Sequence, residues 1–213
     1  MIWKINFYLM LLPCLLSAAD ERLDISQFNQ QGLSNWEEKS FVDYTSYSLT
    51  QASQTTVLKA ETSASASALI HEIEVDLNQT PFLNWSWKVD NIYQGNDERS
   101  KEGDDYPARL YVVISGGMWF WKTRAINYVW SSNQAIGATW DNAYTGNAKM
   151  VAQRSGDEET GNWVTEKRNV REDIKQLLGE QITTVHAIAI MTDSDNTKQQ
   201  ATAYYKDIYF SAE

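Results

Sequence analysis

The segment Leu83–Val89 alternates strictly between apolar and polar residues, and this alternation constrains the fold more than any other feature of the sequence. In an extended chain, side chains two residues apart point to the same face of a sheet. The apolar face of this segment consists of Leu83, Trp85, Trp87 and Val89. The pattern predicts a half-buried β-strand that places two tryptophans in a core.

Further segments along the chain also have strand character. Ala108–Ser115 and Val185–Thr192 are apolar on both faces, which is typical of central strands in a sandwich. Ala125–Trp130 and Ala201–Phe210 are rich in Tyr, Ile and Val, the residues enriched in strands. Shorter segments of the same type bring the expected number of strands to roughly ten.

One helix is predicted, and it is short. Asn169 can cap its first turn, Glu172 stands three residues later as in a capping box, and Gly179 can end it. Many strands and a single helix predict an all-β fold, which we expect to be an antiparallel, jelly-roll-like β-sandwich. An α/β fold is disfavoured because strands and helices do not alternate.

Residues 1–19 have the pattern of a cleaved secretory signal. Lys4 supplies the positive charge, an apolar run follows, and small residues at Ser17–Ala19 precede an expected cut before Asp20. The run is too short to cross a membrane, and no later stretch approaches spanning length. We therefore expect a periplasmic protein with one β-sandwich domain over residues 20–213 and no transmembrane segment. A retained N-terminal anchor is the alternative.

The only cysteine of the chain, Cys14, lies within this predicted signal. Pro13 directly before it makes bacterial lipoprotein processing a poor fit. A mature chain without cysteine has neither a disulfide framework nor a cysteine-based metal cluster, so core packing has to hold it together.

The charge and the motifs of the chain exclude several functions. The 28 acidic residues against 18 Lys and Arg give a net charge of −10, which argues against a binder of nucleic-acid phosphates. The sequence contains no nucleophile elbow, phosphate-binding glycine loop or zinc-binding His pair on a helix.

The segment Gly103–Arg109 combines two carboxylates, an aromatic ring and a guanidinium at the start of a predicted strand. In an extended chain Asp105 and Arg109 would share one face, about 13 Å apart, with Asp104 on the other, so a direct bond between them needs a bend at Pro107. Asp104, Asp105 and Arg109 are the candidate catalytic residues, in a ligand or metal pocket between loop and strand. The alternative is a structural ion-pair network that fixes a long loop.

A second acidic segment, Thr192–Thr197, follows a predicted buried strand. Asp193, Asp195 and Asn196 offer clustered oxygens of the kind that calcium prefers, so they are the candidate metal ligands for a structural calcium ion. Lys198 and Tyr204 stand where an EF-hand needs Gly and Glu. The alternative is a turn whose side chains bond to their own backbone. An approach of Asp104 or Asp105 would favour calcium.

The aromatic residues divide into core and candidate ligand contacts. Trp85 and Trp87 are expected in the core. A glycine pair delivers Trp119 and Trp121 to a loop, where they could stack on an apolar sugar face. The other candidate ligand contacts are Tyr106, beside the acidic pair, and Trp140 and Trp163, which have polar neighbours. Burial at a corner of the sandwich is the alternative for Trp119 and Trp121.

The order of four segments resembles a bacterial exported family, domain-of-unknown-function family 3047. The segments are Trp85–Val89, Gly103–Val112, Asn127–Trp130 and Thr192–Thr197. The resemblance extends from about Asp24 to Phe210. It implies a jelly-roll-like β-sandwich and no established activity, cofactor or substrate, so it supplies no catalytic residue.

These observations favour a carbohydrate- or glycan-binding module as the function, because loop tryptophans accompany acidic loops on a sandwich without a catalytic signature. One alternative is an enzyme that acts on polysaccharide through the acidic and arginine side chains. The other is a module that binds an envelope protein.

Overall fold

The computed structural model describes residues 22–114 and 123–213. The predicted signal (1–19) and the candidate ligand residues Trp119 and Trp121 lie outside the described residues. The described chain forms two packed β-sheets, which confirms the predicted all-β sandwich.

Thirteen strands and two α-helices are found in the described ranges. The strands are β1 (Arg22–Asp24), β2 (Glu37–Val42), β3 (Ser46–Ala52), β4 (Thr55–Ser63), β5 (Ala66–Asp76), β6 (Phe82–Val89), β7 (Ala108–Ile114), β8 (Arg124–Ser131), β9 (Thr139–Asn142), β10 (Thr145–Ser155), β11 (Val164–Asn169), β12 (Thr184–Met191) and β13 (Gln200–Ser211). The helices are α1 (Phe28–Gln31) and α2 (Val170–Leu178), and a 3-10 turn spans Lys101–Gly103.

The strands are divided between a six-stranded and a seven-stranded sheet. The first has the order β11-β6-β13-β4-β3, with β1 also paired to β13, and the second has the order β2-β5-β12-β7-β8-β10-β9. Among the described strands, all pairs are antiparallel except β8 with β10. After β8 the chain forms β9 at the edge of the sheet and then turns back to form β10 between β8 and β9. Strand β10 therefore runs antiparallel to β9 and parallel to β8.

The core lies between the sheets and is rich in aromatic rings. Leu83, Trp85, Trp87 and Val89 of β6 are completely buried, as the alternation predicts. The ring centroids of Trp85 and Tyr128 are 5.3 Å apart, and Trp87 packs on Trp130 of the same strand, β8. These rings join the middle of one sheet to the middle of the other.

Helix α2 begins and ends as predicted. The Asn169 side chain accepts a hydrogen bond from the Glu172 N–H at 3.1 Å, and Gly179 adopts a left-handed conformation (φ 71°) that favours glycine. Val170 and Ile174 are buried in the main core. The helix α1 and the 3-10 turn are too short to leave a periodic pattern in the sequence. Among the described residues no helix has the length and hydropathy needed to cross a membrane.

Trp85 and Trp87 differ in one side-chain hydrogen bond, so a pair of matched variants can measure what that bond contributes to stability. The indole N–H of Trp87 donates to Glu166 Oε1 at 3.2 Å, whereas the indole N–H of Trp85 is buried without a hydrogen-bond partner. Both phenylalanine variants lose the same volume, but Trp87→Phe also removes a hydrogen bond from a buried carboxylate. We expect Trp87→Phe to lower the free energy of unfolding by about 1 kcal/mol more than Trp85→Phe. Urea denaturation measures the difference, and equal losses would contradict it.

Candidate functional site

The outer face of the seven-stranded sheet carries an unusual set of polar side chains. On β7, Leu110 and Val112 enter the core, so the alternating residues Arg109 and Tyr111 project outward. On β8, Asn127 lies between two core residues and pairs in register with Tyr111. Regular strand alternation on two neighbouring strands therefore brings a guanidinium, a phenol and an amide together.

A cavity of about 430 Å³ opens on this face. Its floor contains buried polar side chains, namely Asp104, Arg109, Asn127 and Asp193. Its rim contains Phe41, Val42 and Tyr144, which are 58%, 40% and 55% exposed. A cavity with an apolar rim and convergent polar groups at its base has the composition of a small-molecule site.

Arg109 is the centre of the floor. Its Nη2 lies 3.1 Å from Asp104 Oδ1 and donates to the Asp104 carbonyl at 2.9 Å. Its Nη1 lies 3.3 Å from Asp193 Oδ2 and donates to the Tyr111 hydroxyl at 2.8 Å. The guanidinium carbon also lies 4.3 Å from the ring centroid of Tyr106. Arg109 thus joins the loop before β7 to the segment after β12.

The same network fixes the long loop between β6 and β7. Asp193 Oδ1 accepts from the Tyr106 N–H at 3.3 Å, and the Tyr93 hydroxyl donates to the Asp193 carbonyl at 2.6 Å. Asp105 accepts from the backbone N–H groups of Asn196 and Thr197 at 3.2 and 2.5 Å. The two acidic segments singled out in the sequence are therefore in direct contact.

The structure divides the three candidate catalytic residues between two environments. Asp104 and Arg109 line the cavity and are also paired with each other, so both sequence-based alternatives, a pocket and an ion-pair network, describe part of what is seen. Asp105 is absent from the cavity lining and bonds to the Thr192–Thr197 segment instead. Arg109 pairs with Asp104 and not with Asp105, and strand β7 begins only at Ala108, so the geometry of an extended chain does not apply to the residues before it.

The candidate metal ligands form a carboxylate cluster with one additional member. One oxygen from each of Asp105, Asp193 and Asp195 lies within 4.8 Å of the others. The approach of Asp105 meets the condition under which the sequence favours calcium. Asn196 is engaged elsewhere, since its Oδ1 accepts from the Tyr144 hydroxyl at 3.0 Å and its N–H donates to Asp105.

The carboxyl groups of this cluster outnumber the positively charged groups next to them, of which Arg109 is the one that acts on Asp193. Burial, together with the nearby Asp105 and Asp104, raises the pKa of Asp193 well above its ordinary value, against the opposing effect of Arg109. Burial and Asp105 also raise the pKa of Asp195. One guanidinium cannot balance these carboxylates, so the cluster favours the uptake of positive charge.

Three polar atoms in the cavity floor have no hydrogen-bond partner among the described residues. They are Asn127 Oδ1, Asp104 Oδ1 and Arg109 Nε. Asp104 Oδ1 still has its ion-pair contact with Arg109, whereas Asn127, only 1% exposed, has none for its oxygen. A buried unsatisfied acceptor costs about 1–3 kcal/mol, which a ligand that donates to it would recover.

The remaining aromatic candidates differ from the exposed ligand contacts that the sequence suggested. Tyr106 is completely buried, and its hydroxyl donates to the Glu98 carbonyl. Trp140 is 9% exposed and packs on Tyr106, so its predicted exposure is wrong. The long β6–β7 loop and β9 bury these two rings against each other. Trp163 is half-buried beside Tyr204 of the six-stranded sheet and does not line the cavity.

Several cavity residues were not singled out in the sequence. Asn127 is the one amide in the apolar segment Ala125–Trp130, a signal that would have flagged it. Tyr144 and Phe41 reach the rim only because β9, β10 and β2 lie at opposite sides of the same sheet face. No local pattern marks them.

Calcium binding at the carboxylate cluster stays a prediction, and thermal stability tests it. A ligand that binds only the folded state stabilises it by about 2.7 kcal/mol at a hundredfold excess over Kd. We expect millimolar calcium to raise the Tm of the wild type. Asp195→Asn should abolish the increase, whereas Asp157→Asn, an equal charge change in the exposed loop after β10, should retain it. A wild-type Tm that neither calcium nor a chelator changes would contradict the prediction.

Glu98 gives a separate, pH-dependent prediction. It is completely buried and accepts from the Ser131 hydroxyl and from the Ser132 N–H at 2.5 Å. Burial raises the pKa of Glu98 above its ordinary value of 4.5, although both hydrogen bonds oppose the shift. A carboxyl with a raised folded-state pKa stabilises the fold below its unfolded pKa, and this contribution is lost as pH rises through the folded-state value.

We therefore expect the free energy of unfolding of the wild type, relative to Glu98→Gln, to fall as pH rises from about 4 to 7. Denaturation curves of both proteins at several pH values measure this. A difference that is constant with pH, or that grows in favour of the wild type, would contradict it.

The chain is similar in architecture to several solved structures. It matches the family 11 carbohydrate-binding module of the cellulase Lic26A-Cel5E of Clostridium thermocellum at 9% identity and a TM-score of 0.44, over 83% of this chain and 86% of that one. A carbohydrate-binding module of family 28, described as specific for non-crystalline cellulose, matches at 12% identity and a TM-score of 0.45, over 86% and 90%. The xyloglucanase domain of NopAA from Sinorhizobium fredii matches at 8% identity and a TM-score of 0.45, over 83% and 92%.

No curated protein sequence matches this chain significantly. A family model does match, over residues 34–209, which include both acidic segments and the described strands other than β1 and the end of β13. The chain therefore belongs to the family described as protein of unknown function DUF3047, which confirms the resemblance seen in the sequence.

Proposed function

We propose that this protein is an exported saccharide-binding module and that the cavity on the seven-stranded sheet holds the sugar. The proposal includes export to the periplasm, on the basis of the signal pattern in residues 1–19. The single observation that carries the binding site is Asn127, whose buried amide oxygen lies without a partner in the cavity floor.

The chemistry of the cavity suits a sugar better than a purely apolar molecule. A sugar ring presents hydroxyl groups at its edge and C–H groups on its faces. The floor offers the Asn127 oxygen, the Asp104 carboxylate and the Tyr111 hydroxyl to the edge. The rim offers the exposed rings of Phe41 and Tyr144 to the faces, and exposed aromatic groups around a cavity mark binding surfaces.

The position of Tyr144 is fixed by polar contacts at its hydroxyl end. The hydroxyl lies 3.2 Å from the Lys101 carbonyl and 3.0 Å from Asn196 Oδ1, which hold the ring at the rim, where the residue is 55% exposed. A ring that is already held in place loses little conformational entropy when a ligand stacks on it. Tyr144 is therefore the residue we assign to sugar stacking.

An enzyme that acts on polysaccharide is the second candidate, and one observation favours it. Asp193 lines the cavity and has a raised pKa because it is buried, which is the condition for a carboxyl that donates a proton. Its Oδ2 is committed to Arg109 at 3.3 Å, however, and its Oδ1 to the Tyr106 N–H. These bonds favour a structural role for Asp193 and place binding ahead of catalysis.

A saccharide-binding assay with three variants tests the proposal. Oligosaccharide binding should be about tenfold weaker or more in Tyr144→Ala, because a stacking ring of this kind contributes roughly 1–2 kcal/mol. Trp163→Ala, an aromatic truncation on the other sheet, is the matched control and should bind as the wild type does. The double variant Trp119→Ala/Trp121→Ala tests the sequence-based ligand pair in the same assay.

Three results would count against this assignment. Failure of the wild type to bind any saccharide on a glycan array would overturn the function itself. Loss of binding in Trp163→Ala with full binding in Tyr144→Ala would move the site to the six-stranded sheet. Shortening of the bound oligosaccharide, lost in Asp193→Asn, would replace the binding module with the enzyme.

A further inference from the structure

We infer that the cavity selects its saccharide by charge: it excludes acidic sugars and prefers a sugar that carries a free, protonated amine over its neutral counterpart. This inference rests on the proposed function and specifies its ligand class. It is carried by the balance of charged side chains in the cavity floor and by the unpaired acceptor on Asn127.

The charges in the floor do not balance. Three carboxyl groups line the cavity, those of Asp104, Asp193 and Asp195, against the single guanidinium of Arg109. Burial raises the pKa of Asp193, so we count the imbalance without it, and Asp104 and Asp195 still outnumber Arg109. Asp105 adds a fourth carboxylate directly behind them, within 4.8 Å of Asp193 and Asp195. All of these groups except Asp195 are at least nine-tenths buried, so the solvent screens their field weakly.

Two lysines near the rim do not reverse this balance. Lys101 Nζ lies 5.4 Å from the Tyr144 ring centroid, and Lys39 Nζ lies 5.7 Å from that of Phe41. Both lysines are exposed and absent from the cavity lining. Water and salt screen exposed charges, so an acidic sugar gains little from them and meets the carboxylates once it enters.

Arg109 is largely unavailable as a binding group for an anion. Both of its terminal nitrogens are occupied, Nη1 by Tyr111 and Asp193 and Nη2 by Asp104, and only Nε has no partner. An incoming carboxylate would need the paired fork of N–H groups that the protein carboxylates already hold. The free oxygen of Asn127, in contrast, can accept a hydrogen bond from a hydroxyl or ammonium group.

The walls of the cavity favour a cation for an independent reason. Aromatic rings attract a cation placed over their faces, most strongly where water is excluded. The ring of Tyr111, half-buried, and the rings of Tyr144 and Phe41 at the rim surround the space above the carboxylates. An ammonium group there would contact carboxylate, amide oxygen and ring at once.

Trisaccharides of glucosamine, N-acetylglucosamine, glucose and galacturonic acid provide the test. Their Kd values would be measured by calorimetry at about pH 6, where the amine is protonated. A chelator is included so that no metal ion adds to the charge of the protein side chains in the cavity. We expect the glucosamine trimer to bind about tenfold or more tightly than the two neutral trimers, and the galacturonate trimer to bind weakest, which corresponds to about 1.4 kcal/mol per step.

Two variants separate the charge effect from general binding. Asp195→Asn removes one negative charge from the half-buried side of the cavity, so it should reduce the ratio of glucosamine to galacturonate affinity several-fold. Asp157→Asn is the matched control, since it makes the same change in net charge in the exposed loop after β10, and its ratio should stay at the wild-type value. Asn127→Leu removes the unpaired acceptor at nearly constant volume and should weaken all bound trimers together without lowering Tm.

The outcomes distinguish failure of the charge selection from failure of the proposed saccharide-binding function. Wild-type protein that binds none of the trimers and no other saccharide overturns both. Wild-type protein that binds neutral or acidic trimers as tightly as glucosamine overturns the charge selection and leaves saccharide binding in place. A ratio unchanged in Asp195→Asn, or reduced equally in Asp157→Asn, also overturns the assignment of selectivity to the cavity carboxylates.

Discussion

The site of this protein depends on one buried guanidinium. Arg109 is 4% exposed and holds Asp104 on one side and Asp193 on the other, so it connects the loop before β7 with the segment after β12. Removal of one partner from a buried ion pair typically destabilises a protein by about 3–5 kcal/mol, because the other charge remains without compensation. The same contacts that fix these segments also form the floor of the cavity, so the stability of the loops and the geometry of the site are set by the same side chains.

The cavity exists because the outward positions around this floor are small. Ala66 of β5 and Ala148 of β10 line it, while bulky residues of the same strands face the core. A methyl group in place of a long side chain leaves a depression on the sheet, and Phe41 and Tyr144 enclose it from either side. Within the alternating Ser and Ala residues of 63–68, Ala66 is the one that lines the cavity.

Local sequence patterns correctly predicted the buried face of β6 and the two ends of α2. The burial of Trp85 and Trp87 follows from a period of two residues, and the ends of α2 follow from a capping side chain and a glycine. The contact between the two acidic segments could only be stated as a condition, because Asp105 and Asp193 are 88 positions apart in the numbering and meet through sheet topology. The pairing of Arg109 with Asp104 does not follow from the geometry of an extended chain, because strand β7 begins only at Ala108 and the chain bends at Pro107.

The sequence by itself determined the all-β sandwich, the position of the core tryptophans, the capped helix α2 and the family. Each of these follows from residue patterns within short segments of the chain. The tertiary structure decided which acidic residue pairs with Arg109, that Tyr106 and Trp140 are buried, and that Asn127 and Tyr144 belong to one cavity. These features arise from strands that are distant in sequence and adjacent in the sheet. Burial of the aromatic rings stabilises these features, whereas removal of water from the charged groups opposes them unless the charges are paired, and no local pattern of residues encodes either effect.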